Sequence, residues 1–121
     1  MLPRHRRLTR PQEFSAVLRG DGSVTRRRRA GSALLVVHCA MTTDPSRPAR
    51  VGFVVSRAVG NSVVRHRVVR RLRAITAPRL ASLPPATDLV VRANPAAARA
   101  SSAELATAFD QALGRACGTG S

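Results

Sequence analysis

Three short apolar runs and three helically periodic stretches alternate along the chain with polar and arginine-rich segments. The runs at 33–41, 51–56 and 88–93 have the length of strands and many β-branched residues, so they predict three strands. The segment 42–49 contains two prolines and an aspartate, which is typical of a loop. We therefore expect the first two strands to pair antiparallel.

The periodic stretches predict helices over residues 10–19, over 61 to about 76, and from about 101 to 116. Capping residues, glycine or proline mark their ends. These markers are Thr9, Gln12 and Gly20 for the first helix, Asn61 or Ser62 and Pro78 for the second, and Ser101 and Glu104 for the third. The order of elements is thus α-β-β-α-β-α, and its strand–helix–strand portion predicts a βαβ unit.

This order favours a single small α+β domain over residues 1–121, with helices packed on a small central sheet. Crossovers between parallel strands are almost always right-handed, so the pattern alone predicts that sense. Residues 1–9 form a basic N-terminal arm, and residues 117–121 are expected to fray.

The charge of the chain extends the prediction from fold to partner. Its 121 residues include 21 arginines, no lysine and six acidic residues, for a formal net charge of +15. An arginine-rich proteome accounts for the choice of arginine over lysine, but it does not account for so few acids. A partner with dense negative charge would account for the small number of acidic residues, and nucleic acid is the leading candidate.

The second predicted helix lies within VGNSVVRHRVVRRLRAIT (59–76), which has five arginines, one histidine and no acidic residue. Helical geometry gives it one apolar stripe that faces the core, formed by Val64, Val68, Leu72 and Ile75. Its other faces present Arg65, His66, Arg67, Arg70, Arg71 and Arg73. A solvated, salt-bridged helix is the usual alternative for such a charge run, but no acid is interleaved here. The pattern therefore predicts a surface for a polyanion.

Other arginines lie outside this helix, one just before it and a run of four before the first predicted strand. Arg57 stands between a predicted strand and the basic helix, where a phosphate could meet both its guanidinium and the helix N-terminal amides. The run Arg26 to Arg29 is equally consistent with a mobile polar tail and with an RNA contact.

The residues that carry chemistry give no pattern of a protein active site. The three histidines and six acids form no Ser/His/Asp, Cys/His or paired-carboxylate arrangement, and no metal-ligand spacing is present. Cys39 and Cys117 lie far apart in the sequence. No signal-peptide apolar region follows the basic N-terminus. We expect a cytoplasmic protein with reduced thiols, no membrane association, no disulfide and no protein-bound metal.

Residues 56–73, SRAVGNSVVRHRVVRRLR, resemble the signature of the protein component of bacterial ribonuclease P, a Gly-Asn turn followed by an Arg-Asn-Arg motif and further basic residues. RHRRLTRPQEFSAVLRG (4–20) is similar to the family's N-terminal segment and first helix, and DLVVRANP (88–95) to its last strand. Together with the order of elements, the resemblance extends over nearly the whole chain.

The resemblance implies a small α+β fold with a left-handed βαβ crossover. It also implies a function, because in this family an RNA subunit removes the 5′ leader from precursor tRNA and leaves a 5′-phosphate on the mature tRNA. The protein would bind that RNA one to one, through the arginine helix, and the leader in a cleft between the first helix and the sheet. Mg²⁺ would be held mainly by RNA, and this chain would supply neither a catalytic residue nor a metal ligand.

The family motif can be carried over residue by residue. His66 stands where the Arg-Asn-Arg motif has asparagine, although imidazole can still donate a hydrogen bond to RNA. The predicted contacts to the RNA subunit are Asn61, Arg65, His66, Arg67, Arg70, Arg71 and Arg73. The predicted contacts to the leader or tRNA are Phe14, Leu18, Val37 and Arg57.

A non-catalytic structural RNA-binding protein of ribosomal type is the main alternative, because it would share the charge and the arginine helix. It gives no reason for the Gly-Asn turn or for the first helix. A duplex-DNA binder fits less well, since a recognition helix normally mixes asparagine, glutamine or serine with its arginines.

Overall fold

The computed structural model describes residues 2–20, 22, 24–44 and 46–117, with the backbone alone for Thr25. The helices in these residues are α1 (Pro11–Arg19), α2 (Ser62–Leu80) and α3 (Ser102–Cys117). The strands are β1 (Val24–Gly31), β2 (Leu35–Thr42), β3 (Arg50–Val54) and β4 (Thr87–Ala93), and two 3₁₀ turns cover Arg4–Arg6 and Pro95–Ala98. Of the segment predicted to fray, Cys117 ends α3 and the rest lies outside the described residues.

The four strands form one mixed sheet in the order β1-β2-β4-β3. β4 is antiparallel to β2 on one side and parallel to β3 on the other. The predicted antiparallel pairing of the first two expected strands is therefore wrong, because β4 separates β2 from β3. β3, α2 and β4 form the predicted βαβ unit, and its left-handed sense stays a prediction.

β1 is the element that the predicted order lacks. Its sequence has no apolar alternation, and its strand structure comes from antiparallel pairing with β2 at an edge of the sheet. Charged residues suit an edge strand, because they oppose pairing with another chain. The run Arg26 to Arg29 therefore belongs to the sheet rather than to a polar tail, with Arg27 opposite Ala40 and Arg29 opposite His38.

Each face of the sheet buries an apolar cluster. The larger lies under α2 and α3, where Val37 and Val91 of the sheet join Leu72 and Phe109 of the helices. The predicted stripe of α2 faces this cluster, with Val64 partly buried and Val68, Leu72 and Ile75 buried. The smaller cluster lies under α1 and contains Leu8, Val17, Ala40 and Val90. The sheet thus separates α1 from the other two helices.

α2 extends beyond its predicted end. Pro78 lies inside the helix and not after it. The last turn is held by tertiary contacts, since Leu80 is buried and the Arg79 guanidinium pairs with Asp110 of α3. Arg79 Nη1 also donates to the Ile75 carbonyl at 2.6 Å. These contacts offset the backbone hydrogen bond that proline cannot make.

The start of α1 differs from the predicted capping box between Thr9 and Gln12. Glu13 Oε1 accepts hydrogen bonds from the backbone N–H groups of Thr9 and Arg10, each at 2.9 Å. The carboxylate therefore fixes the entry of the chain into the helix. The predicted end is confirmed, because Gly20 follows the last turn with a φ of 87°.

The basic N-terminal segment is docked on the sheet and is not a free arm. Leu2 and Leu8 are buried. The Leu8 N–H donates to the Val51 carbonyl at 2.9 Å, beside a parallel bridge between Arg7 and Val51. Among the described residues, no helix has both the length and the apolar character needed to cross a membrane.

Candidate nucleic-acid interface

α2 presents cations to solvent along its outer face. His66, Arg67, Arg70 and Arg73 are exposed, and Arg65 is half-buried. Within the described ranges, none of these side chains takes part in an ion pair. The described residues therefore leave their mutual repulsion uncompensated, and a bound polyanion would relieve it.

Arg71 has a structural partner on the flank of α2. It is half-buried, and its Nη1 donates to the Ala100 carbonyl at 3.1 Å. This bond ties α2 to the segment that leads into α3. The contact between Arg71 and RNA stays a prediction.

The Gly-Asn turn fixes the start of α2. Asn61 Oδ1 accepts a hydrogen bond from the Val64 N–H at 3.0 Å and so caps the first turn. A Cβ on Gly60 would lie 2.8 Å from Val64 Cγ1, closer than packing allows. Arg57 is exposed in the preceding turn, where its carbonyl accepts from the Gly60 N–H at 3.2 Å. Helix capping thus accounts for the turn, and an RNA contact of Asn61 stays a prediction.

A cavity of about 730 Å³ lies between α2 and the docked N-terminal segment. Basic and apolar side chains share its lining, which includes Leu2, Arg7, His66, Val69, Arg70 and Arg73. The cationic surface of α2 therefore continues onto the N-terminal segment.

A second basic surface lies across the sheet, beneath α1. A cavity of about 310 Å³ there is lined by Val17 and Leu18 of α1 and by Arg27, Arg29 and His38 of the sheet, among others. We name this surface the α1 groove. It combines an apolar wall with a cationic floor, and a cationic groove can follow the backbone of a single-stranded nucleic acid.

The positive charge around the α1 groove affects the protonation of His38. Burial, together with the nearby charges of Arg92, Arg29 and Arg27, lowers the pKa of His38 below its ordinary value. The imidazole is therefore neutral near pH 7 in the free protein. A phosphate bound in the groove would offset the arginine charges and favour the protonated form.

A salt bridge at the start of α1 and a hydrogen bond from an arginine at its end hold the helix over the groove. At its start, Glu13 Oε2 accepts from Arg50 Nη1 at 2.7 Å, and Arg50 also donates to the buried Asp88 at 3.0 and 3.1 Å. At its end, Arg27 Nη1 donates to the Leu18 carbonyl at 2.7 Å, which places a cation at the helix C-terminus. The width of the groove is thus set by side chains from three strands.

Glu13 is ionised in this arrangement. Its partial burial raises the pKa of the carboxyl, but hydrogen bonds from the Arg10 and Thr9 backbones and the charge of Arg50 outweigh burial, so the pKa is lowered overall. The carboxylate therefore serves as a fixed anion between α1 and the sheet.

The structure separates the four residues predicted to contact the leader or tRNA. Leu18 lines the α1 groove, and Phe14 is half-buried in the small cluster under the same helix. Val37 is fully buried in the larger cluster on the opposite face, which corrects its predicted contact. Strand alternation directs the neighbouring His38 to the groove instead. Arg57 lies apart from them in the turn before α2.

Sequence reasoning missed Arg29, His38 and Arg92 as members of one surface. The signal that could have found them is the register of three strands, because Arg29 pairs with His38 across β1 and β2. Without β1 in the predicted order, that register was inaccessible.

Two basic surfaces on a small α+β fold are the features of a nucleic-acid-binding protein. The family model described as Ribonuclease P matches residues 2–117. The chain is 52% identical over 116 residues to the ribonuclease P protein component of Acidothermus cellulolyticus, covering 95% of this chain and 91% of that protein. It is 47% identical over 127 residues to that of Streptomyces bikiniensis, covering 99% and 98% respectively.

Solved structures of similar fold include two bacterial RNase P proteins. The Staphylococcus aureus protein has a TM-score of 0.74 at 19% identity, covering 89% of this chain and 92% of that one. The Thermotoga maritima protein has a TM-score of 0.69 at 18% identity, covering 87% and 92%. The chain belongs to the ribonuclease P protein family. It is thus the protein part of an RNA-containing ribonuclease of tRNA processing, and not a structural protein of ribosomal type.

Proposed function

We propose that the chain binds the RNA subunit of ribonuclease P through the outer face of α2 and the 5′ leader of precursor tRNA in the α1 groove. The observation that carries the first assignment is the exposed row His66, Arg67, Arg70 and Arg73 without an ion-pair partner in the described parts of the chain. Guanidinium groups bind phosphate oxygens in a bidentate manner, so such a row suits an RNA backbone.

The α1 groove supports the second assignment by its composition. Arg29 and Arg92 supply positive charge, and Leu18 supplies an apolar contact beside it. Phosphates of a single strand would lie against the cations, with bases near the helix. Because Phe14 is half-buried under α1, stacking would contribute less than electrostatics.

In this proposal the protein binds RNA and the RNA subunit carries out the cleavage. The described residues contain no group of three or more histidine, cysteine or acidic side chains placed to hold a metal, so we propose that the RNA subunit holds the Mg²⁺. Among the described acidic residues Asp88 is the most buried, and it accepts hydrogen bonds from Arg47 and Arg50. We also propose that one protein binds each RNA subunit and that the enzyme works in the cytoplasm.

The test is cleavage of a precursor tRNA at low Mg²⁺ by a bacterial ribonuclease P RNA, with and without the protein. We expect stimulated cleavage at the mature 5′ end, identified by sizing the 5′ fragment. Tight RNA binding without stimulation would contradict the proposal.

Variants separate the two surfaces. Arg29→Ala with Arg92→Ala should reduce the difference in affinity between precursor tRNA and leaderless tRNA, because only the leader lies in the groove. Arg70→Ala should weaken assembly with the RNA subunit and leave that difference unchanged. Arg115→Ala on α3 removes one charge away from both surfaces and is the control. Effects that follow only the number of charges removed, with Arg115→Ala as damaging as Arg70→Ala, would show that net charge, and not either surface, governs binding.

A further inference from the structure

The fold brings the two cysteines of the chain into contact. Cys39 lies on β2 and Cys117 ends α3, 78 residues further along the chain, and their Sγ atoms are 2.8 Å apart. Both are free thiols. A disulfide requires an S–S separation of about 2.05 Å, so a small shift of the last turn of α3 would suffice to form one.

The two thiols differ in accessibility. Cys39 is 4% exposed, whereas Cys117 is only half-buried. Both line a cavity of about 130 Å³, and Arg26 and Arg28 of β1 are part of the same wall. A reagent therefore reaches Cys117 first, and a reagent with carboxylates would be attracted by the two guanidinium groups.

The electrostatics of the pair assign different roles to the two sulfurs. The contact with Cys39 lowers the pKa of Cys117, while the contact with Cys117 and burial raise the pKa of Cys39. Cys117 is thus the thiol that ionises first and attacks. Once Cys117 carries a mixed disulfide it has no charge, and it no longer opposes ionisation of Cys39.

We propose that Cys39 and Cys117 are a redox-active thiol pair that small anionic disulfides oxidise to an intramolecular disulfide. The Cys117 thiolate attacks one sulfur of the small disulfide, forms a mixed disulfide and releases one small thiol. Cys39 then loses its proton and attacks the Cys117 sulfur, which releases the second small thiol. The two protein thiols give up two electrons, and the small disulfide is reduced to two thiols.

The position of the two cysteines predicts how a disulfide between them would affect stability and RNA binding. It joins the end of α3 to β2 on the sheet face that packs against α3, opposite the α1 groove. Closing a loop of this length restricts the unfolded chain, so the thermal midpoint should rise by about 10 °C. The cationic residues of α2 and of the α1 groove are not part of the pair, so RNA affinity should change less than twofold.

The experiment treats the full-length folded protein with oxidised glutathione and follows intact mass under non-reducing conditions. The wild type should lose two hydrogen atoms and retain no glutathione. Cys39→Ala should keep one glutathione on Cys117, because no second thiol can release it. Cys117→Ser should stay unmodified while folded, because Cys39 is buried. Thermal melts of each variant before treatment verify folding, and Cys39→Ser serves as a second variant if alanine fails that check.

Two results would overturn the proposal. One is a wild type that retains glutathione or forms only intermolecular dimers, since the two sulfurs would then not meet. The other is Cys117→Ser reacting as fast as the wild type, since Cys39 would then be the exposed thiol. The role of the arginines is tested with Arg28→Gln, which should slow the reaction with glutathione disulfide several-fold and leave the reaction with the neutral 2-hydroxyethyl disulfide unchanged. Equal slowing with both reagents would rule out recognition of the anion.

Discussion

Phe14 of α1 lies directly on Gly52 of β3. A Cβ at position 52 would overlap the ring of Phe14 and would also lie 3.0 Å from Leu8 Cβ. Gly52 itself is buried. The absence of a side chain at this one position allows α1 to approach the sheet, and that approach sets the height of the α1 groove.

Gly52→Ala should therefore displace α1 and destabilise the protein. Forcing a methyl group into a packed contact costs typically about 2 kcal/mol. We expect a loss of that size in the free energy of unfolding, measured by urea denaturation. The contribution of the leader to precursor tRNA affinity should fall as well, because the helix wall of the groove moves.

Gly114→Ala is the matched control for this substitution. Gly114 lies within α3, and a Cβ there would meet no atom within 4 Å. Alanine is the better helix former, so the control should stabilise the protein by about 0.5–1 kcal/mol. Similar destabilisation by both substitutions would contradict the importance of the Phe14 contact.

Asp88→Asn should be among the most damaging single substitutions in the sheet. Asp88 is 4% exposed and accepts hydrogen bonds from Arg47 and Arg50. Removing its charge leaves two guanidinium groups facing each other, and breaking a buried ion pair from one side costs about 3 kcal/mol or more. The measurement is the shift of the urea midpoint.

Asp110→Asn provides the comparison, because the Asp110 side chain is 53% exposed and pairs with Arg79 on the surface. Exposed pairs contribute less than about 1 kcal/mol. An equal loss in the two variants would mean that burial of Asp88 does not matter.

The parts of the fold that sequence periodicity could predict are those with an apolar signature. The stripe from Val64 to Ile75 and the runs that became β2, β3 and β4 all have one. The cap from Ser101 to Glu104 was predicted from the spacing of two polar residues instead, and its two hydrogen bonds confirm it. The order of strands could not be predicted, because pairing across the sheet depends on contacts distant in sequence.

Of the two basic surfaces, the sequence predicted the one on α2 and not the α1 groove, because only the groove depends on strand pairing. The α2 cations share a single helix, so their common face follows from sequence spacing alone. The α1 groove is lined by side chains from α1, β1 and β2, with the charge of Arg92 on β4 acting on His38, and β1 has four consecutive arginines where an amphipathic strand would alternate. Its edge position and its pairing with β2 make it a strand. A residue such as His38 could not be assigned to a face until that pairing was known.

Arg70→Ala should weaken binding of the RNA subunit and reduce its dependence on salt. Each phosphate neutralised by a protein cation contributes a slope of about −0.7 to −0.9 to the dependence of log affinity on log salt concentration. Loss of one contact should lower the magnitude of the slope by about that amount. Filter binding at several salt concentrations measures it, with Arg115→Ala as the charge-matched control. An unchanged slope for Arg70→Ala would remove that residue from the interface.

Binding of the leader should depend on pH through His38. Its pKa is lowered in the free protein by burial and by Arg92, Arg29 and Arg27, and anionic phosphates in the groove would raise it again. Binding of the leader should then be accompanied by proton uptake, so the affinity for precursor tRNA relative to leaderless tRNA should increase as pH falls from about 8 to 5.5. One group takes up at most one proton, so the increase is at most about tenfold per pH unit.

The same pKa fixes the sign of the effect on stability. The folded state holds the His38 proton more weakly than the unfolded state, so the unfolded state gains protons first as pH falls below the ordinary histidine value. This group therefore lowers stability on acidification, while it strengthens leader binding. His38→Gln should remove both dependences, and the comparison with leaderless tRNA cancels effects that arise outside the groove. Retention of the full pH dependence of leader binding in His38→Gln would assign it to another group and would contradict the placement of the leader over β2.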